Sequence, residues 1–519
     1  MLKKHMILKN HYSDSVALMR IAADLEALPG VLQATVIMAT EANLERARAI
    51  DLIDEPIEAQ PNNILIAVST QDANAAAAAF SEVEMQIKNL SSNKDLPTTI
   101  EPEAKSILMS VERNAELNLA LISCPGEYAG AEAKKALNLG LNVMIFSDNV
   151  SVREEVDIKN IGLDKDLLVM GPDCGTAIIN GLPLGFANVV TDGPVGIVAA
   201  SGTGLQQVSS LLSQWGVGIS QAIGTGGRDL NAEVGGISMI QGLNTLLEDN
   251  KTKVIVLISK PPSNDVAEKV INVARAGSKP VIVCFLGWDD KRSDDLVQFA
   301  RVLDDAAEFA YVKVNNGNVP QRRNFEINCG VEEFDHNKDQ KYLRGIFSGG
   351  TFCYETQLIL SDSLGSVWSS TPIDQAFRLK NSWISQEHTV IDLGDDEFTQ
   401  GRPHPMIDHR TRHERILQEA RDPETAVILF DVVIGYGSHA NPAAEILTSI
   451  EGARNIAAKE NRHIDFVGFV CGTDRDPQQF TRQIEMLKSA GVKLAESNSK
   501  ATLLAVSLIK TNPVTKDYK

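Results

Sequence analysis

Two segments of this 519-residue chain repeat one pattern: an apolar run ends in a turn of small residues and continues into a helical periodicity. The first is Val195–Ala200 followed by Ser201-Gly202-Thr203-Gly204; the second is Leu343–Phe347 followed by Ser348-Gly349-Gly350-Thr351. Each is followed by a second strand with a Gly/Asp turn, Ala222–Asp229 and Ile391–Asp396. Later apolar runs keep step, Val254–Ser259 with Val281–Leu286 and Ala426–Asp431 with Phe466–Cys471. Strands of four to seven apolar residues alternating with helical stretches predict doubly wound α/β modules with parallel sheets. A repeat of this kind places its turns together, so the chemistry is expected between the two halves.

The rest of the chain divides around this repeat. Residues 1–105 read as a small α+β unit, with helices over Ser15–Leu28 and Ala73–Ile87 and strands at Ala34–Met38 and Ile64–Val68. Asn89–Glu103 reads as a linker. Residues 106–193 hold a βαβ unit, with strands at Asn118–Ser123 and Asn142–Phe146 about a helix over Gly130–Leu139. The repeated modules occupy 194–330 and 331–519, and Asp289–Gln340 between them reads as a helix-containing connector with an acidic tract around Glu332. The net charge of −19 argues against a nucleic-acid partner. Every long apolar run is strand-length, so no membrane span is expected. Met1-Leu2-Lys3-Lys4-His5 leads into polar sequence and the six cysteines lack finger spacing, so a reduced, cytoplasmic protein without a signal peptide is expected.

Free N–H groups at a helix start favour an anion, which makes Ser201, Gly202, Thr203 and Gly204, and in the second copy Gly349, Gly350 and Thr351, candidates for phosphate or carboxylate binding. Tight turns without a ligand look the same. Gly226 and Gly227 can form a backbone nest, and Arg228 beside them supplies a fork for an oxyanion or pairs with Asp229. Gly435, Gly437, Ser438 and His439 end another strand, with His439 as an acid–base candidate. Asp395 and His404 lie in the preceding turn as further candidates, against a reading as solvated loop charge. Lys260 closes the matching strand of the first half as an anion contact or an exposed cap. Cys174 has no histidine between His11 and His336 to serve it, so a buried cysteine is the better reading. No metal site is expected.

Gly171-Pro172-Asp173-Cys174-Gly175, Gly196–Thr203 and Ile223–Gly227 resemble the α subunit of succinyl-CoA synthetase. Asp392-Leu393-Gly394 with Asp431–His439 resembles the ligase domain of its β subunit. Together with Gly394–Thr399 and Pro403–Asp408, the chain is identified as a member of the FdrA family over nearly its full length. The resemblance implies a Rossmann-like CoA-binding-type domain over 106–193, two flavodoxin-like domains after it, and the small N-terminal domain. The sequence departs from the synthetases where it matters. Their phosphorylated histidine would follow Val281–Leu286, where this chain reads Gly287-Trp288-Asp289-Asp290-Lys291-Arg292. The glutamate that holds the phosphohistidine falls near Lys260, no ATP-grasp signature is present, and the loop that would cradle CoA is missing before Pro125.

The resemblance therefore implies a subunit of a carbamoyltransferase complex in purine or allantoin catabolism, using carbamoyl phosphate with oxamate or a similar small carboxylate. It implies a homo- or hetero-oligomer with the complex's other subunits and no required cofactor, with CoA as an open alternative. Helix starts would hold the phosphate, Arg228 or Lys260 would orient the carboxylate, and Arg228 and His439 would be the catalytic pair. An acyl-CoA synthetase and a non-catalytic ligand-binding scaffold are the competing expectations.

Overall fold

The computed structural model describes residues 2–11, 13, 15–53, 57–92, 104–288, 292–323, 325, 336–399 and 402–511. The acidic tract around Glu332, the run Asp289-Asp290-Lys291 and the expected linker beyond residue 92 lie outside the described residues. The four segments read from the sequence fall into two compact units, 1–113 with 395–408, and 114–394 with 409–519.

In the first unit a three-stranded antiparallel sheet runs in the order Leu2–Leu8, Ile64–Thr70, Val31–Met38. The central strand is buried throughout, so both faces need cover. Ser15–Glu26 and Ala73–Ser92 supply Leu18, Ile21, Leu25, Ala79 and Val83 to one face, and Glu41–Ala49 supplies Leu44 and Ala47 to the other.

In the second unit the repeat is visible in strand order. One seven-stranded sheet runs Val297–Phe299, Val281–Phe285, Val254–Ser259, Asp192–Ala199, Ile219–Gly224, Thr176–Ile179, Leu182–Gly185. A six-stranded sheet runs Lys493–Ala495, Asp465–Cys471, Thr425–Val433, Tyr342–Phe347, Thr389–Asp392, Trp368–Ser369. The first five positions correspond one to one, and all of them are parallel. Val254–Ser259 and Thr425–Val433 have every residue buried, the pattern of strands covered by helices on both faces. The last two strands of the first sheet form an antiparallel hairpin instead, turned at Asn180-Gly181 with both φ positive. That dipeptide is the strongest short hairpin signal, and it went unread in the sequence.

A three-stranded parallel sheet of Leu119–Ile122, Asn142–Ile145 and Val169–Met170 completes the unit and gives the expected βαβ. The connector contains the expected helix, Leu303–Val314. Among the described residues, no helix is long and apolar enough to cross a membrane.

Candidate functional site

The strands Asp192–Ala199 and Tyr342–Phe347 each deliver a helix, Gly202–Gln214 and Gly350–Leu364, whose starts meet. Ser201 Oγ and Thr351 Oγ1 are 2.6 Å apart although 150 residues separate them in sequence. Ser201 is an N-cap with extended backbone, and its Oγ accepts from Gly204 N at 2.9 Å. The N–H groups of Gly202, Thr203, Gly350, Thr351 and Phe352 engage no acceptor among the described residues. Five unengaged donors thus converge from two helix dipoles.

The second start is built by charge. Its cap is Gly349, whose N–H donates to Asp431 Oδ2 at 3.1 Å; Ser348 N and Oγ donate to the same carboxylate. Asp431 is fully buried and is held by Arg412 Nη2 at 2.5 Å, with Arg412 Nη1 on its carbonyl at 2.7 Å. A Cβ on Gly350 would overlap the Asp392 carboxylate and lie 3.2 Å from Lys260 Nζ. Lys260, which follows Val254–Ser259, is exposed, and its Nζ comes close to Gly350. Asp431 is neutralised by Arg412. The backbone donors of the two helix starts favour an anion.

The other candidates are placed elsewhere. Arg228 donates to Val150 O at 2.8 Å and pairs with Glu155 at 2.9 Å. Asp229, its alternative partner in the sequence reading, is instead buried against Lys159 at 2.7 Å, which also meets Glu155 and Thr225 O. Gly226, at φ +83, presses on the carbonyl of Pro172, and Gly227 faces Asp173. Gly226 thus serves close backbone packing. Gly435, at φ +121, approaches Ala187 O, and Gly437 lies on the Phe186 ring. Cys174 is buried, donates to Gly224 O and Thr176 O, and has its thiol pushed up to about 12 by burial, as suits an inert core residue. Asp395 and His404 belong to the other compact unit, where Asp395 Oδ1 accepts from Glu397 N and His404 Nδ1 from Met406 N.

His439 is part of a group that the sequence reading saw only in half. Its Nδ1 accepts from Asn441 N at 3.1 Å, so the neutral ring carries its proton on Nε2. Its ring meets His409 edge-on at 5.4 Å. Burial, then Arg412 and His439, hold His409 well below the usual histidine range, so it is neutral. Nothing in spacing pairs residues 409, 412 and 431; the only signal was an arginine-rich helix start, Arg410-Thr411-Arg412, and its two arginines differ in that only Arg412 reaches Asp431. No group of three or more His, Cys, Asp or Glu that could hold a metal ion occurs among the described residues.

Comparison with known proteins assigns the parts. Residues 1–103 match the model for the AllF heavy metal-associated domain, 190–287 the CoA binding domain and 346–508 the CoA-ligase. The CoA-binding match spans four of the seven strands of the first large sheet and lies outside the βαβ unit at 118–170. The α subunit 2 of an ADP-forming succinate–CoA ligase from Archaeoglobus fulgidus is 27% identical over 33% of this chain; the chain spans only 59% of that relative's length. A dinucleotide-forming acetyl-coenzyme A synthetase 1 from Ca. Korarchaeum cryptofilum, solved with phosphate and ADP, aligns with 82% of this chain and 89% of its own at 13% identity and a TM-score of 0.34. The uncharacterized protein YahF of Escherichia coli (strain K12) is 42% identical over 98% of both chains. The chain therefore belongs to the YahF, FdrA-like family, which carries an AllF-type N-terminal domain ahead of succinyl-CoA synthetase-like CoA-binding and CoA-ligase domains.

Proposed function

We propose that the protein is a subunit of a carbamoyltransferase that moves a carbamoyl group between carbamoyl phosphate and a small amide-bearing carboxylate such as oxamate. The meeting of the two helix starts carries this reading: Ser201 and Thr351 in contact, five unengaged N–H donors and Lys260 at their edge make a seat for a phosphate leaving group. The amide nitrogen of the acceptor attacks the carbamoyl carbon, the bond from that carbon to the bridging oxygen breaks, and phosphate departs with the proton the nitrogen gives up. Carbamoyl phosphate is a mixed anhydride, so no ATP and no phosphohistidine is required, in keeping with a stretch from 12 to 335 without histidine. The reading also needs no CoA. At the start of helix Gly126–Asn138 a Cβ on Gly126 would collide with the Asp148 carbonyl.

Positioning and fixed dipoles would carry the rate. Phosphate release from carbamoyl phosphate that requires both oxamate and the complex's other subunits supports this reading; no release with every subunit present rejects it. The second reading, an acyl-CoA ligase, is favoured by the CoA-binding and CoA-ligase matches. It predicts nucleotide-dependent acyl-CoA formation in the same assay mixture. The cytoplasm and a hetero-oligomer are the setting this proposal assumes.

A further inference from the structure

The carbamoyl-transfer reading leaves a set of buried polar atoms unexplained. His409 is 7% exposed, and neither of its ring nitrogens has a hydrogen-bond partner among the described residues. Ser438 is equally buried, with its Oγ unpartnered, and the Nε of Arg412 is in the same position. Burying such groups without partners is costly. They are not scattered. His409 meets the His439 ring at 5.4 Å, Ser438 precedes His439 in the chain, and the charge of Arg412 acts on His409. Arg412 in turn holds Asp431, the carboxylate on which the start of helix Gly350–Leu364 is built. The group is thus linked to the proposed phosphate seat through Arg412 and Asp431.

Their inventory selects a ligand. Arg412 Nε and His439 Nε2 are donors only. A neutral imidazole at His409 offers one donor and one acceptor, and the Ser438 hydroxyl can do either. A carboxylate satisfies the donors but meets the His409 lone pair with one of its own. A metal ion is disfavoured by the neighbouring Arg412 charge. A primary amide matches the set: its oxygen accepts from the donors while its NH₂ donates to the His409 nitrogen or to Ser438.

We infer that His409 and Ser438, with His439, form the seat for a primary amide group of the acceptor and make the site choose an amide over a carboxylate of the same size. This rests on the carbamoyl-transfer reading and assigns His409 and Ser438 as specificity residues within it.

Oxamate and oxalate differ only in this group, so they are the probes, titrated calorimetrically into the purified full chain beside inorganic phosphate. Wild type should bind oxamate at least about tenfold more tightly than oxalate, the scale set by one unmatched buried polar group. His409→Leu should bring oxamate down to the oxalate level; His409→Gln, which keeps a donor and an acceptor, should restore part of the preference. Ser438→Ala serves as the second variant should His409→Leu not fold, and it should narrow the preference several-fold. Equal affinity for the two acids in wild type, or binding of neither, overturns the inference. So does a preference unchanged in both His409→Leu and Ser438→Ala, which would mean that water alone satisfies these atoms. A chain that prefers oxamate yet takes no phosphate would instead overturn the carbamoyl phosphate reading and leave this inference standing.

Discussion

The two helix starts occupy equivalent places in equivalent sheets, yet they are held in different ways. The first is local: Ser201 folds back on Gly204 N, and four consecutive residues contain the whole device. The second has a glycine cap and borrows its support from Asp431 and Arg412, 82 and 63 positions further along the chain. A local cap survives changes elsewhere. A start built on a buried ion pair fails when either partner is removed, since the survivor is left charged and dry. The second start is thus the fragile one, and the difference can be pressed by substitution.

The largest effect is expected at Arg412. Arg412→Leu leaves Asp431 buried without its counter-charge and should cost about 3–5 kcal/mol of stability in urea unfolding. A loss under 1 kcal/mol would show that the second start does not depend on the pair. Next comes Glu355, on the second helix itself. Its carboxylate takes Leu303 N at 2.7 Å and Asn498 Nδ2 at 2.8 Å, and burial, with Asp304 adding repulsion, pushes it up to about 8. A carboxyl raised in the folded state holds a proton that the unfolded chain has lost, so this contribution to stability is complete below about pH 4.5 and falls away as pH rises towards 8. Glu355→Gln should flatten that decline by roughly 2–4 kcal/mol between pH 5 and 8. A slope identical to wild type would reject the assignment.

The two first-turn glycines give a direct contrast. Gly350→Ala drives a methyl into Asp392 and towards Lys260, whereas Gly202→Ala meets only Thr176 Oγ1 at 3.1 Å. Phosphate affinity should fall about tenfold or more for the former, about 1.4 kcal/mol, and less than threefold for the latter. Equal losses would mean that the anion is held equally by both starts. The smallest effect belongs to the cap: Ser201→Ala removes one N-cap bond and the Thr351 contact, and should cost about 1 kcal/mol in thermal or chemical unfolding.

What was legible in the sequence follows the same division between local and distant. Strands such as Val254–Ser259 and turns such as Ser201–Gly204 announce themselves through apolar runs and small residues, and the repeated order of the two sheets follows from their sequence rhythm. The glycines at 226, 227, 435 and 437 carried no sign of whether a ligand or a neighbouring backbone stood against them; the structure puts backbone or side chains there. Arg228 looked available because its partner Glu155 lies 73 residues away in the helix Val152–Asp164. His409 and Arg412 were passed over because their meaning depends on Asp431 and His439, contacts that no local pattern encodes.

The hydroxyl contact between Ser201 and Thr351 has a consequence for assembly. The two starts belong to one polypeptide, so the tether between them makes their encounter intramolecular. Ties such as Trp215 to Glu496 and Asn188 to Asp476 close the pair further. Effective concentrations under such tethering reach the millimolar range, so dilution of the protein should not take the two starts apart. Both helix starts are supplied by one folding chain.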